Sequence, residues 1–471
     1  MLLNELEREQ SLKDQGYRFK SRAVFFLLPC LLFVMALGFY HHYKPLPSGL
    51  DFASAEYIVN ESDLKLLVEA PSLTSTSPAL IIDQIYQHIA EANQYILLDQ
   101  TVFNDYSPAN KNFSSELTKR LVAKKASSPD LKIDFITDPF NTLYGGSNNA
   151  YLESLSAAGI NVIVTDLASL PDSNPYYSAW WRAFVAWLGN SPRYAWFANP
   201  WDESDSSRST LRSRLAYLNF KANERKVFVA DHLGQLVSII SAGDLAVSVR
   251  GPLAESVYQS ESALARLSHN SLYSLPLNLL NQAPAATNRY AKVKLLTEQR
   301  VKLAILDSIN KLESGDELKI ASNYLSDQVI ISALLASADN GVLIQVLLDP
   351  TKTSRVNLAS AEELSLASHR SIKLKWASAA TAQIIIARSK ADKQMTVITG
   401  SSSLTRRDLD NYNLQSNLVL VLNTDWNLAA DFDRYFANAW QAGTEYKTNE
   451  SLAWYLPYLL GFLEWTGMGN F

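Results

Sequence analysis

Between residues 81 and 399 one succession of apolar segments runs twice. A helical period over Ile81–Ala92 leads to the short run Tyr95–Asp99 (YILLD). A helix around Leu117–Lys125 leads to the strand Lys132–Asp138, which ends in Asp-Pro. A helix over Leu152–Ala158, stopped by Gly159, leads to the strand Asn161–Asp166. The strand pair Lys226–Asp231 and Leu236–Ser241 follows, joined through His232-Leu233-Gly234. In the second pass the helices are Arg300–Leu312, Asp327–Ala338 and Ala361–Ser368. Its strands are Leu318–Leu325, Val342–Pro350 (again ending in Asp-Pro) and Ile372–Ala377, then the pair Ala382–Ala387 and Thr396–Thr399. Strands joined by helices predict a mostly parallel α/β sheet covered on both faces. Two copies predict a pseudo-two-fold with a site at the shared interface, the segment Ala283–Arg289 joining them. Neither copy has Gly-x-Gly-x-x-Gly after its first strand, which argues against two dinucleotide-binding units.

Composition removes several classes. A chain of 471 residues that is 47% hydrophobic and 19% charged is globular, with length for two to three domains. The net charge is -5 and there is no dense Lys/Arg stripe, so no nucleic-acid partner is expected. The single cysteine, Cys30, sits in an apolar run, which excludes an intrachain disulfide and a thiolate zinc site. Six histidines (His41, His42, His88, His232, His269 and His369) leave few candidates for paired-imidazole chemistry.

Ala23–Tyr40 is an uncharged apolar run of eighteen residues, nearly the length a helix needs for a hydrocarbon core of about 30 Å. Arg18, Lys20 and Arg22 crowd its N-terminal side. The positive-inside bias therefore predicts a cytoplasmic tail at 1–22, a single-pass signal anchor at 23–40 and the main domain across the membrane. A cleaved signal peptide is the rival reading, with Ala36 and Gly38 as small residues near a cleavage site. The Pro-, Ser- and Thr-rich residues 41–78 read as a linker. The two halves are then 79–285 and 286–449, followed by an aromatic C-terminal segment at 450–471.

Two segments carry more specific information. One reads Asn219-Phe-Lys-Ala-Asn223-Glu224-Arg225-Lys226 and runs to Asp231; the other runs from Gly400-Ser401-Ser402-Ser403 through Arg407 and Asn413 to Gln415. They resemble the two active-site segments of the phospholipase D superfamily, in its bacterial branch. In that family each half carries His-x-Lys-x-x-x-x-Asp with Gly-Ser-x-Asn downstream. The resemblance covers nearly all of residues 80–445, including Phe135–Gly146 and Asp172–Arg182. It implies two phospholipase D-type α/β sandwich halves around the pseudo-two-fold. It also implies phosphodiester chemistry with one histidine as nucleophile and the other as general acid, on opposite sides of one phosphate. Lysines and polar side chains neutralise the phosphoryl oxygens in the family, so no cofactor and no metal is expected.

The resemblance places Glu224, Lys226 and Asp231 at the first catalytic motif, and Thr381, Gln383 and Arg388 at the second. Both histidines are therefore replaced, and of the remaining motif groups only Lys226 and Asp231 persist. The flanking binding positions are Asn219, Asn223, Ser241, Ser401, Ser403 and Gln415; Ser403 stands for the asparagine of Gly-Ser-x-Asn and Gln415 for a glutamate. Glu224 is expected to form a structural ion pair with Lys226 or a neighbouring arginine. His232, eight residues along the strand, is too far to act for it. These replacements predict an envelope-anchored pseudoenzyme that binds a phospholipid or an envelope partner. The alternatives are an active phosphodiesterase or phosphatidyl transferase using Glu224 and Lys226, or a subunit lending Lys226 and Asp231 to an active paralogue.

Five of the ten tryptophans fall between Trp180 and Trp201. Their helical spacing predicts a lid on the sheet edge with Trp180 and Trp181 buried; a bilayer-facing cluster is the rival. Ser451–Phe471 has one charged side chain, Glu464, and Pro457 with three glycines argues for a docked tail over a spanning helix.

Overall fold

Tyr95–Gln100 is buried through its first five residues. A strand with no wet face lies in the middle of a covered sheet, and the two copies of the repeat place their strands accordingly. The computed structural model describes residues 25, 27–69, 80–279, 289–350, 354–367, 371–377, 382–447 and 455–466. β1 (Tyr57–Asn60) and β2 (Leu64–Val68) come first. The first half adds β3 (Tyr95–Gln100), β4 (Lys132–Thr137), β5 (Asn161–Val164), a small hairpin of β6 (Phe197–Ala198) and β7 (Arg208–Ser209), then β8 (Val227–His232), β9 (Gln235–Ser241) and β10 (Leu245–Arg250). The second half adds β11 (Tyr290–Thr297), β12 (Glu317–Ser322), β13 (Leu343–Leu348), β14 (Ile372–Trp376), β15 (Ile384–Ser389), β16 (Gln394–Gly400), β17 (Ser416–Asn423) and β18 (Thr444–Glu445).

The sheet of the first half runs β2-β10-β9-β8-β3-β4-β5, and that of the second runs β1-β11-β17-β16-β15-β12-β13-β14-β18. The central orders β10-β9-β8-β3-β4-β5 and β17-β16-β15-β12-β13-β14 correspond strand for strand. β8 begins one residue after Lys226 and β15 one residue after Gln383, so both motif segments enter their sheets at the same register. The expected repeat is therefore present in the strand order of the two sheets. The expectation of a mostly parallel sheet is corrected. Only β3-β4-β5 and β12-β13-β14 are parallel; the other ladders of the two large sheets are antiparallel. β8 and β9 turn back through Leu233 and Gly234, both at positive φ, and a two-residue reversal leaves no chain for a crossover helix.

Residues 41–78, expected to be a linker, contribute to both sheets. β1 pairs with β11 and β2 with β10, with only Glu61–Asp63 between them. Each half offers an open antiparallel edge, and these apolar strands cover one edge apiece. Helices Ile81–Glu91, Pro108–Ser127 and Ala150–Ala157 pack on the outer face of the first sheet around Leu98, Leu117 and Phe135. Helices Gln299–Asn310, Gln328–Asp339 and Ser354–Ala367 cover the second around Ile305, Leu334 and Leu364. Between the sheets a shared core joins Val229 and Val247 to Leu295, Ile386 and Leu420, with helices Leu253–Leu267 and Asn427–Ala442.

Residues 27–43 are helical, and no helix among the described residues is long and apolar enough to cross a membrane. The expected span 23–40 begins outside the described residues, as does the tail 1–22, and the joining segment 283–289 lies outside them except for Arg289. The helix end is held to both halves. The His41 carbonyl accepts from Asp172 N at 2.9 Å, and the His42 ring stacks on Tyr412 at 5.7 Å. A Cβ at Gly38 would stand 3.1 Å from the Pro175 carbonyl oxygen and 3.2 Å from Ala179 Cβ, so glycine permits this helix to lie against Pro175–Phe184. The buried residues of Pro175–Phe184 are Ser178 and Ala179, whereas Trp180 is exposed and Trp181 half-buried. The expected burial of Trp180 and Trp181 is thus corrected: small residues let the backbones approach, and the rings point away. The tail forms helix Leu456–Thr466, docked through Glu464 as expected.

Candidate functional site

The two motif segments meet in a cleft of about 400 Å³ between the halves. From the first half come Glu224 and Lys226, on the approach to β8, and Asp138, which directly follows β4 and caps the turn after it. From the second come Ser401 and Ser403, just past β16, and Arg407, Asp408 and Asn413 on and after the short helix Arg406–Leu409. A larger hollow of about 810 Å³ adjoins it, sharing Tyr144 and Lys221. That hollow is walled by the first half alone and lacks Glu224 and Lys226, so the chemistry belongs to the smaller cleft.

Glu224 crosses between the halves. Its backbone N donates to the Leu414 carbonyl at 3.0 Å. Its carboxylate accepts from Gln415 Nε2 at 3.0 Å and from Asn413 Nδ2 at 3.4 Å. The resemblance expected imidazole at Glu224 and a carboxylate at Gln415; here the roles are exchanged, the carboxylate at 224 accepting and the amide at 415 donating. The expected partners of Glu224 were cations; among the described residues its side-chain hydrogen bonds are to the amides of Gln415 and Asn413. Ser401 Oγ donates to Gln415 Oε1 at 2.5 Å, which orients that amide.

Asn413 Nδ2 also donates to Asp408 Oδ1 at 2.9 Å, and Ser403 N donates to the other Asp408 oxygen at 3.2 Å. Burial, and then the charge of Glu224, push the Asp408 carboxyl well above the ordinary range. Asp138 is pushed up to about 7 by burial foremost, against the stabilising bonds from Asn223 N and Phe140 N. Burial lowers Arg407 to about 10, and its guanidinium lies over the Phe220 ring at 4.9 Å. The cleft thus combines the Glu224 carboxylate, two carboxyls that retain protons unusually far up the pH scale, and the cations Lys226 and Arg407. None of the five described histidines lines it.

Several expected site residues lie elsewhere. Asp231 lies near the far end of β8, where it accepts from the backbone N–H groups of Asn93, Gln94 and Tyr95 and anchors the start of β3. Arg388, in the matching place on β15, is paired with Asp433. Asn223 is fully buried and donates to both oxygens of Asp99 at 2.9 Å, so it holds the fold and faces no ligand. Asn219 lines the larger hollow, and Ser241 N donates to the Lys226 carbonyl without its side chain reaching the cleft wall. Gln383 is buried, its Oε1 accepting from Ser322 Oγ at 2.7 Å and its N donating to the Ala242 carbonyl at 3.1 Å. Thr381 lies outside the described residues. Gln415 is buried behind Glu224, while Glu224, Lys226, Ser401 and Ser403 are brought together as expected. Asp138, Arg407 and Asp408 were missed as site residues. They stand inside the segments Phe135–Gly146 and Gly400–Gln415 already singled out, and an Asp-Pro strand end is the signal that points to the first.

The family model described as the phospholipase D-like domain of cardiolipin synthase matches residues 305–440. Residues 305–440 of the second half thus carry a phospholipase D-like domain. A solved phosphatidylserine synthase from Haemophilus influenzae is similar at 12% identity with a TM-score of 0.54, covering 87% of this chain and 94% of that one. That likeness concerns the fold and spans both phospholipase D-like halves. Nuc from Salmonella typhimurium, a phospholipase D family member, is 20% identical over 33% of this chain and 99% of its own, with a TM-score of 0.29. No curated protein sequence matches. Glu224, where the resemblance expected an imidazole, lines a cleft between the halves and is bonded to Gln415 and Asn413.

Proposed function

We propose that this protein is a membrane-attached phospholipase D-like pseudoenzyme that holds a phospholipid head group in the cleft without turning it over. The observation that carries the reading is Glu224, which stands where the nucleophilic imidazole belongs and is bonded to Gln415 and Asn413. A carboxylate there opposes a phosphodiester and offers no imidazole proton relay. One positioned acid–base group contributes about 10²–10⁴-fold, so losing it takes turnover near background.

The charges favour a zwitterionic head group. Lys226 and Arg407 suit the phosphate, and Glu224 suits an ammonium group. Membrane attachment is supported by the exposed apolar residues of the helix 27–43, among them Leu31, Phe33 and Phe39. On and after the neighbouring helix Pro175–Phe184, Trp180, Phe184, Trp187 and Trp196 are also exposed, a composition that suits the interface of a bilayer. With the anchor at 23–40, the domain lies on the outer side of the bacterial inner membrane.

The test is a fluorescent phosphatidyl substrate in mixed micelles with the full chain. Turnover no higher than in Glu224→Ala is expected; hydrolysis or transfer that Glu224→Ala abolishes would overturn the pseudoenzyme reading. Binding is measured in parallel. Phosphatidylethanolamine should bind more tightly than phosphatidylglycerol, and Lys226→Ala should weaken it about tenfold, as loss of a charged hydrogen bond implies. Equal binding of both lipids would remove the zwitterion assignment.

A further inference from the structure

At the opposite end of the first sheet, three side chains with metal-ligating atoms converge. His88 and Glu91 are one turn apart on helix Ile81–Glu91 and so share a face. His232 closes β8 and opens the tight turn to β9. One ligand atom from each lies within 4.8 Å of the others. The His88 and His232 rings meet edge to face at 5.0 Å, and His88 is further fixed by stacking on Phe228 at 6.2 Å.

The hydrogen bonding of these groups is incomplete in a telling way. His88 is 5% exposed, and its Nδ1 has no hydrogen-bond partner among the described residues. His232 Nδ1, also buried, stands 2.8 Å from Glu91 Oε2, which already joins two of the three groups. Buried unsatisfied nitrogens are uncommon and ask for an explanation such as an ion. The other carboxylate oxygen, Glu91 Oε1, accepts from Gln87 Nε2 at 3.0 Å, the type of outer bond that orients a ligating carboxylate.

We propose that His88, Glu91 and His232 bind one divalent transition-metal ion, with zinc the ion that two imidazoles and a carboxylate fit best. Zinc bonds of about 2.0–2.2 Å put neighbouring ligand atoms a little over 3 Å apart, and the 41% exposed Glu91 side chain has freedom to close that gap. Three protein ligands leave a fourth position for water. A hollow of about 70 Å³ beside the histidines, with Ser62 and Asp63 in its wall, has room for it. The ion would clip helix Ile81–Glu91 to the β8–β9 hairpin. It would lie a strand length, about 20 Å, from Glu224 and take no part in the cleft.

Zinc titration of the full-length protein in detergent, followed by calorimetry and thermal melting, tests this. One zinc per chain and a higher melting temperature reversed by chelator are expected. Glu91→Gln and His232→Asn, both on the accessible side, should each weaken binding about tenfold or more, and a visible band of the cobalt-loaded protein should vanish with them. His88→Ala is a third variant, but the result does not depend on its folding. Absence of saturable zinc binding would overturn the proposal. So would binding that persists in both accessible variants and is lost when His41 and His42 are replaced.

Discussion

Between the two motif residues Glu224 and Lys226 stands Arg225, which points the other way and is fully buried. Its guanidinium bonds Glu298 at 2.7 Å, Ser260 Oγ at 2.9 Å and Glu261 at 3.2 Å. Glu298 belongs to the second half and also accepts from Gln415 N at 3.1 Å. One arginine therefore ties the approach to β8, helix Leu253–Leu267 and the residue behind the cleft. Removing one partner of a buried ionic group leaves the others desolvated and unpaired, so Arg225→Ala should cost about 3–5 kcal/mol in chemical denaturation. A loss under about 1 kcal/mol would show that water reaches Glu298 and Glu261. The Asn-Glu-Arg-Lys order is readable in the sequence, but the inward turn of Arg225 is not. Alternation along an extended segment says only that neighbours face opposite sides, not which side is interior.

The C-terminal helix Leu456–Thr466 is tied to the second half through Glu464, whose carbonyl accepts from Arg406 Nη1 at 2.7 Å and whose carboxyl is buried. Glu464 Oε1 accepts from Ser326 Oγ at 2.8 Å and from Arg406 N at 3.3 Å, next to Arg407 of the cleft. Burial pushes Glu464 up to about 7 from its ordinary 4.5. The folded chain then keeps a proton that the unfolded chain releases, so this group's contribution to stability is lost as pH rises from about 4.5 to 7. Glu464→Gln keeps the acceptor and removes the titration. Its melting temperature relative to the parent should therefore rise between pH 5 and pH 8, the gain being at most about 3 kcal/mol. A difference that stays flat across that range would mean Glu464 titrates normally. Docking of this tail was legible from Pro457 and its glycines. The element that receives it was not, since Ser326 and Arg406 lie far from it in sequence.

At the scale of the molecule, the exposed rings beside the helix 27–43 bear on how the chain sits on a bilayer. If the proposed attachment holds, tryptophan fluorescence of the full chain in vesicles should be quenched by lipids brominated near the head group. Replacing Trp180, Trp187 and Trp196 by Phe should remove most of that quenching. Unchanged quenching in the triple variant would place the patch away from lipid. Protease added to spheroplasts should digest the domain, and full protection would exclude the outward orientation.

The sequence alone determined the doubled α/β order and the resemblance to the phospholipase D superfamily, because these depend on local periodicity and on residue types at short spacing. It also located Glu224 and Lys226 beside Ser401 and Ser403 through the resemblance. What only tertiary structure decided was who faces whom. β1 and β2 cover the edges of different sheets, Asp231 and Asn223 serve the backbone and core, and Asp408 and Asp138 enter the cleft. His88 and His232, 144 positions apart, become neighbours only when helix and hairpin pack. Contacts between distant segments depend on how whole faces pack, and that information is spread over the core rather than carried by any motif.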